Sequence, residues 1–398
     1  MKIRNNTKLK LFISFFILTF SDALYFYEIG WSNKLNYLGL MLLLLTEFEK
    51  FVKMSPNKQA KIILFELMPV LFAFSIGIIM QNMSAFIKIK LVVSMVIIAC
   101  IALLSDRLLD SLEDIRGASY GILWGIVCTF ILSIITGTSI VSRVEEGKFL
   151  FGLSMGLRHK NNCGMDLLAA FSGLYICRKN HKRKDRFTLY FLFVLIILSH
   201  ARIAWGLLVL FMIMMQLDYI KYIGKRYRKI VSKVIYIFFF ISCCFGFRYI
   251  SIHSSTIAIR VRGLINWLNY FHGDIFHIMF GNAALAWADT GYGYVMNVRS
   301  TVGMDGTLEM AVLGILVKNG AIGFLGYIII FRKYIKKICM LNDSTMIKND
   351  MIAVISIALI SMLTESFIIN LAVVFGSYYF VLIGGTIGFV LNQKARKF

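Results

Sequence analysis

Long apolar runs separated by short polar and basic segments fill most of this 398-residue chain. A helix needs about 20 apolar residues to cross roughly 30 Å of hydrocarbon. Twelve stretches reach or approach that length: 11–28, 35–49, 61–80, 85–104, 117–138, 163–178, 188–200, 203–218, 233–249, 307–331, 351–370 and 371–391. The pattern predicts an all-α, polytopic membrane protein with about 12 transmembrane helices, residues 1–398 forming a single integral membrane domain. Runs 188–200 and 203–218 are short and closely joined, so one long span is the competing reading there. Merging them would reverse the orientation of every later segment.

Two polar stretches interrupt the apolar pattern at length, 139–162 and 250–306. In the second, Leu264, Trp267, Leu268, Phe271 and Ile275 recur at helical spacing, with Arg262, Asn266, Asn269 and Gly273 between them. That spacing predicts an amphipathic helix over about 260–280, lying on the membrane surface with Trp267 at headgroup depth. Gly291, Gly293 and Gly303 follow, with Tyr292 and Tyr294 among them. Such a loop suits a sugar-like ligand held by stacking and hydrogen bonding.

Composition sharpens the class. With 59% hydrophobic and 16% charged residues and a mean hydropathy of +0.75, the chain cannot be an ordinary soluble domain. The seven cysteines include no CxxC pair and read as packing residues. A basic start, Met1 to Lys10, precedes the first span without a small-residue cleavage site, so that span reads as an anchor.

A net charge of +22 would point to nucleic acid in a soluble chain. Here twelve spans put both termini in the cytoplasm, and 30 of the 43 Lys and Arg then fall on or beside cytoplasmic segments. Merging the 188–218 hairpin would turn two basic runs outward. The charge is thus explained by topology and anionic membrane lipid, not by nucleic acid. Localisation to a bacterial cytoplasmic (cell) membrane as a multi-pass protein follows as the expectation.

Thirteen basic residues remain, and they lie mainly, with five of the six histidines, on the outer segments. They include Arg143, Arg158, Lys160, Arg202, Arg248, Arg260, Arg262 and Arg299; the histidines are His159, His200, His253, His272 and His277. Positive-inside insertion disfavours that placement. Solvated loop charges near headgroups are the plain reading for any one of them. Arg202 sits between two apolar runs, where a charge costs roughly 2.5–3.5 kcal/mol near mid-membrane, so it should meet a polar cavity or an anion unless it snorkels. Asp22, Glu66, Asp166 and Glu365 lie in or beside spans and are functional candidates of unspecified role. No HExxH or Walker A pattern occurs, which makes metal-free chemistry the default.

Gly156-Leu157-Arg158-His159-Lys160-Asn161 resembles the G-F-x-H-P-N signature of Wzy-type repeat-unit polymerases and O-antigen ligases. Arg202 takes the place of the Ser-Arg at the tip of the following hairpin. Arg262 with Trp267 resembles the Arg…Trp that opens the large outer loop, and Phe280-Gly281 resembles the later Phe-Gly-x-Gly. Asp305 to Gly323, with Gly320-Ala321-Ile322-Gly323, is similar to the segment that returns into the membrane. The matches run over about 156–323, with Lys160, Ala201, Ala283 and Gly306 departing from the usual Pro, Ser, Gly and Asn.

The resemblance implies a GT-C-like helical fold and a metal-independent, inverting glycosyltransferase without cofactor. Its substrate would be an undecaprenyl-pyrophosphate-linked glycan, polymerised into capsule, exopolysaccharide or O-antigen on the outer membrane face. A flippase and a chain-length regulator are the partners it implies. Fixed arginines would stabilise the leaving pyrophosphate most in the transition state. Arg158, Arg202, Arg260 and Arg262 are the choices, with Asn161, Trp267 and Asp305 as further substrate-binding residues. His159 is the first choice of general base and Glu365 the second. An O-antigen-type ligase is the alternative within the class, and a polysaccharide flippase or transporter the alternative outside it. Two prolines and no visible inverted repeat count against the transporter.

Overall fold

The computed structural model describes residues 5–81, 84–143, 151–180, 183–216, 264–265, 267–269, 271–282, 310–341, 346–371 and 373–395. The apolar runs there form α1 (Asn5–Ser21), α2 (Leu24–Glu28), α3 (Ser32–Val52), α4 (Pro56–Ile62), α5 (Met68–Met80), α6 (Ala85–Leu104), α7 (Leu112–Thr136) and α8 (Lys160–Ile176). They continue as α9 (Arg183–Leu198), α10 (Arg202–Gln216), α11 (Ile275–Phe280), α12 (Ala311–Cys339), α13 (Met346–Thr364), α14 (Val374–Phe380) and α15 (Thr386–Ala395). Single π-helical turns, Ile63–Leu67 and Val381–Gly385, join α4 to α5 and α14 to α15 without a break.

Among the described residues, six helices are long and apolar enough to cross a membrane: Pro56–Met80, Ala85–Arg107, Leu112–Thr136, Ala311–Cys339, Ile347–Thr364 and Val374–Gln393. The protein is a mostly helical, membrane-embedded molecule. The all-α expectation needs one amendment, a short antiparallel ribbon of β1 (Val141–Arg143) and β2 (Phe151–Leu153) inside the 139–162 segment.

The 188–218 hairpin follows the hydropathy pattern, and two other elements differ from it. The 188–218 run is two helices: His200 adopts a positive φ of 51° between α9 and α10, and Trp205 Nε1 donates back to the Ile196 carbonyl at 2.8 Å. The 307–331 run is not one rod. Gly320 (φ 66°, ψ −169°) breaks α12, and the part beyond it continues to Cys339. The expected 260–280 helix is also interrupted. Its helical turns at 264–265 and 267–269 give way to a 271–274 turn containing Gly273 at φ 84°, and Asp274 then caps α11. Hydropathy and periodicity report which residues are apolar, and a glycine that leaves helical space is silent to both.

Packing centres on α7. It starts with a capping box, Ser111 and Asp114, and ends at left-handed Gly137. Gly117, Gly121 and Gly125 form a stripe one helical turn apart against α1, at Lys8, Phe12 and Thr19. A Cβ on Gly121 would fall 2.4 Å from the Phe12 carbonyl oxygen. Backbones can approach that closely because the small residues leave no side chain between them, which is how helices associate where no hydrophobic effect distinguishes lipid from protein. Buried Tyr378 of α14 completes this centre, its hydroxyl within 2.7 Å of Ser119 Oγ.

The two ends of the bundle differ in chemistry. At one end ion pairs tie the starts and finishes of many helices together. They are Lys8–Glu113 at 3.1 Å, Lys53–Glu49 at 2.6 Å, Arg178–Asp350 at 2.9 Å, Lys333–Glu66 at 2.7 Å and Lys333–Asp106 at 2.9 Å. Thr7 near the first residue reaches Asp110 and Asn392 near the last reaches Arg107, so the described chain starts and finishes at this basic end. The opposite end gathers the elbow between α1 and α2, the ribbon, the α9–α10 tip and the segment around α11.

Candidate functional site at the loop end

The elbow after α1 and the strand before α8 form the first part of the site. Met155 and Gly156 both take positive φ, 52° and 77°. Only glycine fits at 156, because a Cβ would lie 2.0 Å from Ser133 Oγ. The bend lets Ala23 and Leu157 form an isolated antiparallel bridge, with Leu24 N–H donating to the Gly156 carbonyl and Arg158 N–H to the Asp22 carbonyl at 2.9 and 3.0 Å. The Asp22 carboxylate accepts from Asn162 Nδ2 at 2.6 Å and sits 3.6 Å from the Arg158 guanidinium. That guanidinium lies over the Tyr27 ring at 5.1 Å and stays one-third exposed.

His159 is the N-cap of α8. Its Nδ1 accepts the Asn161 backbone N–H at 3.2 Å. An accepting Nδ1 carries no proton, so a neutral ring holds its proton on Nε2 and presents a donor there. The general-base role expected of His159 would need the lone pair that the cap uses. This geometry favours a hydrogen-bond donor to an anionic oxygen. Asp166 lies on α8 below the cap, fully buried.

The α9–α10 tip packs directly on this start of α8. Gly164 makes room for Ala201, where its own Cβ would fall 2.5 Å from that of Ala201. Gly152 of the ribbon makes room for Ser199 and His200 in the same way, beside the stem of the buried Lys160. The smallness of Ala201 is therefore set by this contact. Arg202 follows as the exposed first residue of α10.

The second part of the site is a cover over the first half of α12. Trp267 and Phe271 are buried against Met310, Leu313 and Val317. Asp274 accepts from His277 N–H at 3.1 Å and lies 2.5 Å from His277 Nδ1, and these donors hold its carboxyl below the usual carboxylate range. The cover then docks where Gly281 and Gly320, both with positive φ, meet backbone to backbone. Gln81 Nε2 locks the junction by donating to the Phe280 and Lys318 carbonyls at 2.7 and 2.9 Å. Glu365, just past α13, is buried and its carbonyl accepts the Ala311 N–H at 3.2 Å.

The structure thus joins Arg158, His159 and Asn161 in one junction with the Arg202 tip packed against it. It sets Trp267 over α12 and Glu365 at the start of α12. Arg260, Arg262 and Asp305 lie outside the described residues, as do Arg248, His253 and Arg299. Among the described residues no group of three or more His, Cys, Asp or Glu side chains could hold a metal ion. Sequence reasoning passed over Asn162, Gln81 and Lys318, and it left Asp22 without a role. Asp22 and Lys318 were visible as charges in apolar surroundings; the partners that give Asp22 its role come from distant parts of the chain. No known family model and no curated protein matches this sequence.

Proposed function

We propose that the chain is a twelve-span, GT-C-like repeat-unit polymerase of the Wzy and O-antigen ligase type. In this reading it joins undecaprenyl-pyrophosphate-linked oligosaccharides into a longer glycan on the outer face of a bacterial cytoplasmic membrane. The loop end is the outer face, because the opposite end carries the basic segments that stay in the cytoplasm. One observation carries the proposal. His159 caps α8 with Arg158 before it and Asn161 in its first turn, and the tip that leads into Arg202 packs on the start of that helix through Gly164 and Gly152. Residues 40 positions apart that share a family signature in order thereby belong to one polar junction, away from the basic end.

The chemistry follows from charge. As the glycosidic bond to the carrier breaks, the pyrophosphate gains negative charge, and fixed guanidinium groups stabilise it more then than before. Arg202 and Arg158 supply planar forks for it, with Arg262 and Arg260 from the outer loop. His159 donates through Nε2–H to an oxygen of the same anion. The base that takes the acceptor hydroxyl proton is then Glu365, a buried carboxylate beside the start of α12.

Deleting the gene and resolving surface glycan and lipid-linked intermediates on a gel tests this. A polymerase deletion leaves single repeat units and no ladder. A ladder retained on the carrier lipid identifies a ligase instead, and units trapped on the cytoplasmic side identify a flippase. Normal ladders contradict the whole reading.

A further inference from the structure

Lys318 is one of the basic residues that the cytoplasmic segments leave unexplained, and no motif claims it. It sits in the last turn of α12 before the Gly320 break, half-buried. No carboxylate pairs with it among the described residues. Lysines in such surroundings are normally paired, because removing an ammonium from water without a counter-charge is costly.

Helical spacing gives Lys318 its neighbours. Residues 311, 314, 315 and 318 share one face of the segment. That face abuts the chain after α13: Ala311 N–H bonds the Glu365 carbonyl at 3.2 Å, and a Cβ on Gly314 would sit 3.2 Å from Ile369 Cδ1. The neighbouring face, at Met310, Leu313 and Val317, carries Trp267. Trp267 is 3% exposed, and among the described residues its Nε1–H has no acceptor. A buried indole N–H without an acceptor is uncommon in native proteins. Lys318 on one face of this segment and Trp267 packed on the adjacent face therefore carry two donors, one cationic and one neutral, and among the described residues neither has an acceptor.

We propose that Lys318 Nζ and Trp267 Nε1 form an anion-binding subsite for a phosphate group at the break in α12. The subsite is lodged under the outer cover rather than at the Arg158–Arg202 junction. The identity of its ligand as the phosphate of a lipid carrier rests on the function proposed above. The two donors without acceptors do not.

The test uses the full-length protein purified in detergent and titrated with inorganic pyrophosphate, read by thermal melting and by tryptophan fluorescence. The wild type should gain melting temperature and change its fluorescence. Lys318→Gln should bind at least tenfold more weakly, Lys318→Arg should recover most of the loss, and Trp267→Phe should lose the fluorescence change. Lys34→Gln, an exposed cation over the Trp31 ring, controls for general charge and should bind as the wild type does. Pyrophosphate binding that is equal in Lys318→Gln and wild type overturns the subsite. Should Lys318→Gln melt early without ligand, the comparison of Lys318→Arg with Lys318→Met decides, equal binding again overturning it.

Nanodiscs containing undecaprenyl phosphate or phosphatidylglycerol separate the lipid sources. Competition with pyrophosphate only by the undecaprenyl lipid supports the carrier, and equal competition by both overturns it as the ligand. Loss of binding in Lys318→Gln together with gene-independent ladders would retain the subsite and refute the polymerase. Gene-dependent ladders with undiminished Lys318→Gln binding would do the reverse.

Discussion

Nδ1 of His159 accepts the Asn161 N–H, and that bond places the proton of a neutral ring on Nε2. The histidine was legible in the sequence through its motif. Its role was not, because role depends on which nitrogen the backbone occupies. Asn is as good an N-cap as any residue, whereas Ala costs about 1 kcal/mol. His159→Asn should therefore melt like the wild type and His159→Ala slightly earlier, while both shorten the glycan ladder through loss of the Nε2–H donor. A wild-type ladder from His159→Asn would remove His159 from the site. Asp22 makes the same point from the other side. Its carboxylate was visible in an apolar run, but its partners Arg158 and Asn162 are more than 130 residues away. Replacing it with Leu should cost about 1.5–3 kcal/mol, the range for a charged hydrogen bond, measured as an earlier melt in detergent.

At the scale of elements, the helices were legible and their interruptions were not. Hydrophobic runs marked the helices correctly where composition decides, as in α6 and α7. Gly320 in α12 and Gly273 before α11 break helices by taking positive φ, and no window of hydropathy carries that information. The Gly117–Gly121–Gly125 stripe is a stronger signal in hindsight, since small residues four apart in an apolar helix mark a close neighbour. Gly121→Leu should cost at least the 1–3 kcal/mol or so of ordinary overpacking, because the obstructing atom is the Phe12 carbonyl oxygen rather than a flexible side chain. Reduced membrane levels and an early melt are expected; unchanged melting would mean that α1 and α7 are not in contact there.

For the whole molecule, the account depends on sidedness. Among the described residues the basic end and the loop end are chemically distinct. Cys339 is exposed at the basic end and His272 at the loop end. In variants with a single cysteine, a membrane-impermeant maleimide should label His272→Cys in intact cells and Cys339 only after permeabilisation; the opposite pattern would invert the proposed orientation. What the sequence could not yield was the meeting of the α8 cap with the α9–α10 tip, a contact set by small residues at 152, 164 and 201. The central claim is that this meeting serves glycan elongation. The most direct measurement is the size distribution of lipid-linked glycan from deletion cells complemented with Arg202→Ala, at wild-type membrane levels. The account predicts single repeat units; a wild-type ladder would contradict it.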